Sequence, residues 1–255
     1  MPKWTKKEDI ERILKVAHRR KNAATVFNIP DKLIYPDRYI NRNCPVCGGD
    51  KKTDMDGRGR KSPTSQGWYF LKYEDAKCDA CGFCYSANIP EPDYINSYYR
   101  YAVARTGDDA DVQNRIDVIR RYVSRGKSIL EFGAGFKGFV RLLNEAGYEA
   151  DGVDIDDEII KDEYYAICCY YTLEHLVSPT EILKIFRELL EPEGILIIEV
   201  PDYEKYPNES MHFQHLNHFT KHHLERLLDD NGFKTIETID AHSRYFGFAS
   251  ISTTP

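Results

Sequence analysis

Ile10, Ile13, Leu14 and Ala17 fall at i, i+3, i+4 and i+7, one face of a helix, and Thr5-Lys6-Lys7-Glu8 ahead of them has the form of a capping box. A single apolar stripe cannot form a core alone, so this helix is expected to pack on something else. Asn28-Ile29-Pro30-Asp31 and Tyr35-Pro36-Asp37 then read as irregular connection. The pattern changes over residues 41–90. Two cysteine pairs flank a stretch from Gly48 to Gly67 too hydrophilic to bury anything, and Trp68-Tyr69-Phe70-Leu71-Lys72-Tyr73 reads as a strand. From Pro92 the spacing is helical, over 94–105 and 109–123. Beyond Lys127 strands and helices alternate. Strands are predicted over 128–132, 148–153, 165–170 and 194–200, the last with the continuous apolar run Ile195-Leu196-Ile197-Ile198 of a buried parallel strand. Helices are predicted over 136–146, closed by Gly147, over 181–190, and over 220–230, closed by Asn231-Gly232. Two last strands fall near 233–239 and 245–251. This alternation implies an α/β chain on an open sheet with helices on both faces. The chain thus divides into an N-terminal helical segment over 1–40, a small unit over 41–90 and an α/β domain over 91–255.

Composition narrows the class. With 255 residues, 42% hydrophobic and 30% charged, the chain is globular rather than disordered or fibrous. No apolar run approaches the roughly 18 residues of a membrane-spanning helix, and the charged start leads into no apolar signal core. A cytoplasmic protein is expected. The net charge of −6 hides a gradient: residues 1–43 carry eleven Lys and Arg against five acids, leaving −12 on the remainder. Such a basic head suits nucleic acid. Its charges are interleaved with acids at helical spacing, however, and a solvated helix face explains them at least as well.

Seven Cys in a chain of this class point to metal ligands or thiols rather than disulfides. Cys44-Pro45-Val46-Cys47-Gly48 and Cys78-Asp79-Ala80-Cys81-Gly82 are two matched knuckles. Each turn sets two thiolates on one side, and the following Gly permits the left-handed backbone that brings amides toward the sulfurs. Together Cys44, Cys47, Cys78 and Cys81 make a closed set of four thiolates suited to a structural Zn2+. Cys84 offers a second spacing with Cys81, but only the Cys78–Cys81 pair has a Gly directly after its second Cys. A segment this small needs such a staple. Cys168 and Cys169, in a central strand, read as core thiols.

Gly133-Ala134-Gly135-Phe136-Lys137-Gly138 follows a strand and opens a helix, and Asp154 ends the next strand at the distance expected of a ribose-binding carboxylate. A nicotinamide dinucleotide fits this pattern. Glu131 argues against it: a carboxylate two residues before the first Gly is awkward beside a pyrophosphate and suits a ligand with an ammonium group and no phosphate. S-adenosylmethionine (SAM) is such a ligand.

Over residues 92–251 the chain resembles the class I SAM-dependent methyltransferases. Residues 129–138 look like the family's first motif and Gly152-Val153-Asp154-Ile155-Asp156 like its second. Tyr170-Tyr171-Thr172-Leu173-Glu174-His175-Leu176 is similar to its strand-four segment, and Leu190-Glu191-Pro192-Glu193-Gly194-Ile195 to the turn before strand five. His212-Phe213-Gln214-His215-Leu216-Asn217-His218-Phe219-Thr220 resembles a His-rich stretch of sugar and glycan-pathway methyltransferases, some of which carry an N-terminal zinc ribbon. The resemblance implies a Rossmann-like sheet. It implies that Glu131, Gly133, Gly135 and Gly138 hold the methionine end of SAM, that Asp154 binds the ribose and Ile155 the adenine, and that Tyr170 and Tyr171 face the sulfonium. His175, His215 and His218, with His212, are then the candidates for a catalytic base or for acceptor contacts, whereas His222 and His223 are expected to be structural.

The match fails in one place. The family sets a helix, a third strand and an acidic adenine-binding loop between its second motif and strand four, and residues 157–164 are too few to form them. The missing strand belongs at the sheet edge, so its loss spares the core and opens one side of the adenine pocket. A second copy or another protein covering that edge would restore it. Methyl transfer to a small metabolite, a sugar or nucleotide-sugar, is the leading expectation. A non-catalytic zinc-ribbon module binding nucleic acid or protein and an NAD-dependent oxidoreductase are the alternatives.

Overall fold

The run Ile195-Leu196-Ile197-Ile198 lies buried in one of two sheets of the computed structural model, which describes residues 36–55, 60–63, 70–102, 112–135, 137–155, 157–210, 214–240 and 247–254. The expected helix over 10–17, most of the basic head, Trp68-Tyr69 and His212 lie outside the described residues. First come β1 (Tyr39–Asn41), β2 (Lys52–Asp54), β3 (Arg60–Pro63), β4 (Phe70–Cys78) and β5 (Cys84–Pro90), then α1 (Pro92–Ala102) and α2 (Val112–Tyr122). The alternating part runs β6 (Ser128–Phe132), α3 (Gly138–Glu145), β7 (Glu149–Val153) and β8 (Tyr164–Tyr170). A 3-10 turn (Leu173–His175), α4 (Pro179–Leu189), β9 (Leu190–Pro201), α5 (Pro207–Ser210), β10 (Asn217–His218), α6 (Lys221–Asp230), β11 (Lys234–Asp240) and β12 (Gly247–Thr253) complete it.

The sheet order is β11-β12-β9-β8-β6-β7, with β7, β6, β8 and β9 parallel and β12 antiparallel to both its neighbours. Alternate strand residues feed two apolar layers. Ile129, Cys168 and Ile197 pack with Ile116 and Ile119 of α2 and Leu143 of α3. Leu130, Cys169 and Leu196 pack with Leu183 of α4 and Leu224 of α6. Helices therefore cover both faces, as the pattern requires, and both Cys168 and Cys169 are core thiols. Among the described residues β7 is the outermost strand on its side, in line with the shortened edge. Beyond it the chain turns through an Asp157 N–H bond to the Asp154 carbonyl (2.9 Å) and returns along the edge, where Lys161 Nζ lies 3.4 Å from Asp151.

The other sheet is antiparallel, ordered β1-β5-β4-β2, with β3 also on β4 and β10 also on β5. Three features of it depart from the expectation. The strand begun at Phe70 runs on to Cys78, and the hydrophilic stretch after Gly48 supplies β2 and β3, which pair through backbone along the borders of β4 and need no apolar residues to do so. The third is β10, which pairs Asn217 with Tyr85 and His218 with Cys84, so a piece of the expected 91–255 domain completes the sheet of the 41–90 unit. The cores merge as well: Cys44, Val46, Phe83 and Tyr85 share one apolar cluster with Leu183, Phe219 and Leu224.

Arg42 locks this junction. It is buried, and its guanidinium donates to the carbonyls of Val177 (2.8 Å) and Ser86 (3.2 Å) and to Asn217 Oδ1 (2.9 Å). Burial lowers its pKa to about 10, so it stays a cation at neutral pH, solvated by dipoles of the first sheet and of the loop before α4.

Candidate functional site

The order of the parallel strands reverses between β6 and β8, where an open α/β sheet forms its ligand crevice. β6 leaves the sheet at Gly133, whose φ of +82° an L side chain rarely adopts. The Gly133 and Ala134 amides donate to the Val153 carbonyl (2.9 and 3.0 Å), pinning the turn against the end of β7. Asp154, next along, accepts from the Gly135 amide on Oδ2 and from the Ile155 amide on Oδ1, both at 2.7 Å. The turn and the carboxylate are thus one unit, and each oxygen keeps a second lone pair for an incoming donor. Gly138 is exposed at the first turn of α3, with nothing near the position a Cβ would take.

Under this turn Glu131 is 6% exposed and its Oε2 has no hydrogen-bond partner among the described residues. Burial pushes its pKa up to about 8; Arg115 pulls it down and Asp154 pushes it further up. Arg115 was not expected here. It reaches in from α2, with Nε 3.2 Å from Glu199 Oε2 and its guanidinium 4.4 Å from the Tyr170 ring centroid and 5.7 Å from that of Tyr171. A signal existed: Arg115 stands four residues before Ile119 and three after Val112, on the apolar face of its helix. Tyr171 itself sits at a φ of +47°, a left-handed position at the mouth of the crevice.

Glu131 makes stability depend on pH with a definite sign. Below about pH 4.5 folded and unfolded chains both hold its proton; between about 4.5 and 8 only the folded chain does, so stability falls as pH rises through that window. In thermal unfolding without ligand, Glu131→Gln should reduce the loss between pH 5 and 8 by about 3 kcal/mol relative to wild type. Parallel pH profiles would refute this burial of Glu131.

The 3-10 turn that ends β8 carries Glu174 and His175 toward His215. Glu174 is 1% exposed, its two carboxylate oxygens lack hydrogen-bond partners among the described residues, and burial pushes its pKa up to about 8. His175 Nε2 lies 3.8 Å from Glu174 Oε1, and the His175 and His215 rings meet edge-on at 4.9 Å. His218 departs from the expected cleft position. It is buried in β10, its Nε2 3.6 Å from Asp75 Oδ1 on β4, because its backbone pairs with Cys84 and carries the ring into the first sheet. Sequence reading brought His175 and His215 together but missed Glu174 as their carboxylate.

The four cysteines converge. Cys44 Sγ is 3.6 Å from Cys81 Sγ and Cys47 Sγ 3.5 Å from Cys78 Sγ, and one ligand atom from each lies within 4.8 Å of all the others. Gly48 and Gly82 have φ of +73° and +78°, and their amides return to the Cys44 and Cys78 carbonyls at 2.8 Å, so both knuckles close alike. Cys84 stands apart, its Sγ 3.9 Å from the Gly82 carbonyl. Helices of the α/β part hold the knuckles: Thr180 Oγ1 donates to the Pro45 carbonyl (2.8 Å), and His223 Nε2–H to that of Cys81 (3.0 Å). His223 is structural, as expected.

A family model described as a methyltransferase domain matches residues 108–238. No curated protein matches the sequence. Among solved structures, Burkholderia thailandensis 1,6-didemethyltoxoflavin-N1-methyltransferase, bound to 1,6-didemethyltoxoflavin and S-adenosylhomocysteine, is similar with a TM-score of 0.54 and 16% identity over 71% of this chain and 98% of that one. A chain from a complex of the Haloferax volcanii Trm112 methyltransferase activator with a protein assigned as a methyltransferase is similar with a TM-score of 0.51 and 13% identity, over 63% of this chain and 97% of that one. At such identities these likenesses speak for the fold: a Rossmann-like methyltransferase sheet, here joined to the cysteine-bearing sheet. No helix among the described residues is long and apolar enough to cross a membrane.

Proposed function

Because this chain belongs to the methyltransferase family, whose domain model spans more than half of it, we propose that it transfers the methyl group of S-adenosylmethionine to a small-molecule acceptor. The observation that carries this reading is Glu131, a buried carboxylate with an oxygen that has no hydrogen-bond partner among the described residues, beneath the glycine turn. An uncompensated buried carboxylate is costly, and an arriving ammonium group would both neutralise it and drive it to ionise. That requirement fits an amino-acid cation and opposes a pyrophosphate, which sets aside the oxidoreductase reading.

When bound, SAM supplies a methyl group already activated by its sulfonium. Glu131 and the backbone of Gly133 and Gly135 hold the methionine end, and Gly138, exposed at the first turn of α3, is given no contact of its own. Asp154 accepts from the ribose hydroxyls through its remaining lone pairs, and half-buried Ile155 lies against adenine. Tyr170 and Tyr171, kept in place by Arg115, wall the reacting end. His175 and His215 stand on the acceptor side, in the base-or-contact role expected of them; His218, buried in β10, is not assigned one. Aligning the acceptor can lower the barrier by up to about 7–11 kcal/mol. A sugar or nucleotide-sugar is the acceptor class we assign, supported by the His-rich stretch over 212–220. The outermost position of β7 and the 70% exposure of Ile160 beside it support a second copy or a partner protein against that edge.

To the four cysteines we assign a structural Zn2+. Four convergent sulfurs on matched knuckles fit a tetrahedral ion and leave it no open position. Residues 41–90 are then a zinc ribbon, residues 1–40 a leading helical segment and residues 91–255 the transferase domain.

Calorimetry tests the cofactor. The wild-type chain should bind SAM and its demethylated product but not NAD. Asp154→Ala should weaken SAM about 10- to 100-fold with the fold intact, the loss expected for a charge-assisted hydrogen bond. Absence of SAM binding at millimolar ligand would overturn the reading; unchanged affinity in Asp154→Ala would refute the ribose contact alone.

A further inference from the structure

Glu174, His175 and His215 form a second ligand set, distinct from the cysteines and on the acceptor side of the crevice. One ligand atom from each lies within 4.8 Å of the other two, and Glu174 Oε1 is 3.8 Å from His175 Nε2. Donors at the 2.0–2.1 Å of metal–imidazole bonds stand roughly 3.3 Å apart around a tetrahedral ion, so a movement of about an ångström closes the set. Two further observations point to a cation. First, Glu174 is 1% exposed and neither of its oxygens has a hydrogen-bond partner among the described residues. A buried carboxylate without a hydrogen-bond partner is relieved either by holding its proton or by meeting a cation, and the two imidazoles beside it supply the rest of a cation's ligand set.

Second, each imidazole has its Nδ1 held against a backbone carbonyl. His175 Nδ1 lies 3.0 Å from the Gln214 carbonyl and His215 Nδ1 2.7 Å from the Ser210 carbonyl. A carbonyl can only accept, so an Nδ1 that bonds to it carries the proton and leaves the lone pair on Nε2. Such backbone anchoring of the far ring nitrogen fixes tautomer and orientation in metal sites. The Tyr99 hydroxyl, which also donates to the Gln214 carbonyl, braces the His175 ring from α1.

We propose that Glu174, His175 and His215 bind a divalent transition-metal cation that holds an oxygen of the acceptor. Two nitrogens and one carboxylate suit zinc, iron(II), cobalt or manganese better than magnesium or calcium, which take oxygen ligands. Three protein donors leave coordination positions open, unlike the closed cysteine site. Acceptors bearing adjacent hydroxyl or carboxylate oxygens are the class such a cation would select. Only the acceptor role rests on the methyl-transfer reading; the metal site does not.

The probe is Co2+, titrated by calorimetry and elemental analysis into protein whose cysteine site is already filled with zinc. Wild type should take up one further equivalent. Glu174→Gln, nearly isosteric, and His215→Gln, at a half-buried position, should each weaken that equivalent about 100-fold or more while one zinc is retained. No cobalt beyond the zinc equivalent in wild type, or full binding in both variants, would overturn the proposal. SAM titration of the same wild-type sample separates the two readings: cobalt without SAM binding sinks methyl transfer and leaves the metal site standing, and SAM without cobalt does the reverse.

Discussion

Removing the zinc proposed for the cysteine cluster, by chelation or by Cys47→Ser, is expected to lower the melting temperature by roughly 6–20 °C. Metal binding by cysteine knuckles is folding free energy, about 10–16 kcal/mol in isolated finger peptides. Here part of the sheet is also held by apolar packing of Phe83 and Tyr85 and by Thr180 and His223 on the knuckles, so only a fraction of that range should appear. A loss of about 3–5 kcal/mol corresponds to roughly 6–20 °C in a chain of this size. Cys84→Ala is the control. Its Sγ lies 3.9 Å from the Gly82 carbonyl, outside the set of four convergent sulfurs, so the variant should keep a zinc bound by that set. A melting temperature within about 2 °C of wild type in the chelated protein would show that the knuckles need no ion.

Gly133→Ala should weaken SAM at least about 100-fold, whereas Gly138→Ala should change it less than about threefold. The two glycines belong to one motif but meet different physics. At Gly133 the φ of +82° is strained for any L residue, and a Cβ would lie 2.1 Å from Thr172 Oγ1 and 2.7 Å from its Cγ2. Thr172 cannot simply rotate away, because its hydroxyl donates to the Tyr170 carbonyl at 3.0 Å in the wall of the same crevice. The turn and the end of β8 must therefore separate, disturbing both sides of the cofactor at once, with an expected stability loss of about 2–4 kcal/mol. At Gly138 nothing lies within 4 Å of a Cβ, φ is not positive, and alanine favours the first turn of α3. Calorimetric titration of both variants decides the matter. Equal affinities would mean that the tight turn does not shape the cofactor site.

The transferase sheet was legible because its elements are specified locally. The apolar run at Ile195-Leu196-Ile197-Ile198, the period of α4 and the glycines after β6 each report the environment of their own residues. What stayed hidden depends on distant partners. β2 and β3 carry no apolar alternation and exist because β4 offers them backbone groups. β10 is two residues long, too short for any periodicity, and so His218 read as a loop residue when it is a strand residue facing Asp75. Glu174 was visible only as a letter between Leu173 and His175. That its carboxylate turns inward, opposite a histidine forty-one residues on, is a property of how the end of β8 meets the approach to β10.

The pairing of β10 with β5 also sets an order of events during synthesis. Tyr85 waits for Asn217, 132 residues later. At roughly 5–20 residues per second, the ribosome leaves the first sheet without that strand for about 7–26 seconds. During that interval the unclaimed stretch of β5 is a sticky border beside free thiols. Early capture of the ion by the nascent chain would shield those thiols, and slow translation or zinc starvation should show first as aggregation of newly made chains rather than as loss of mature protein.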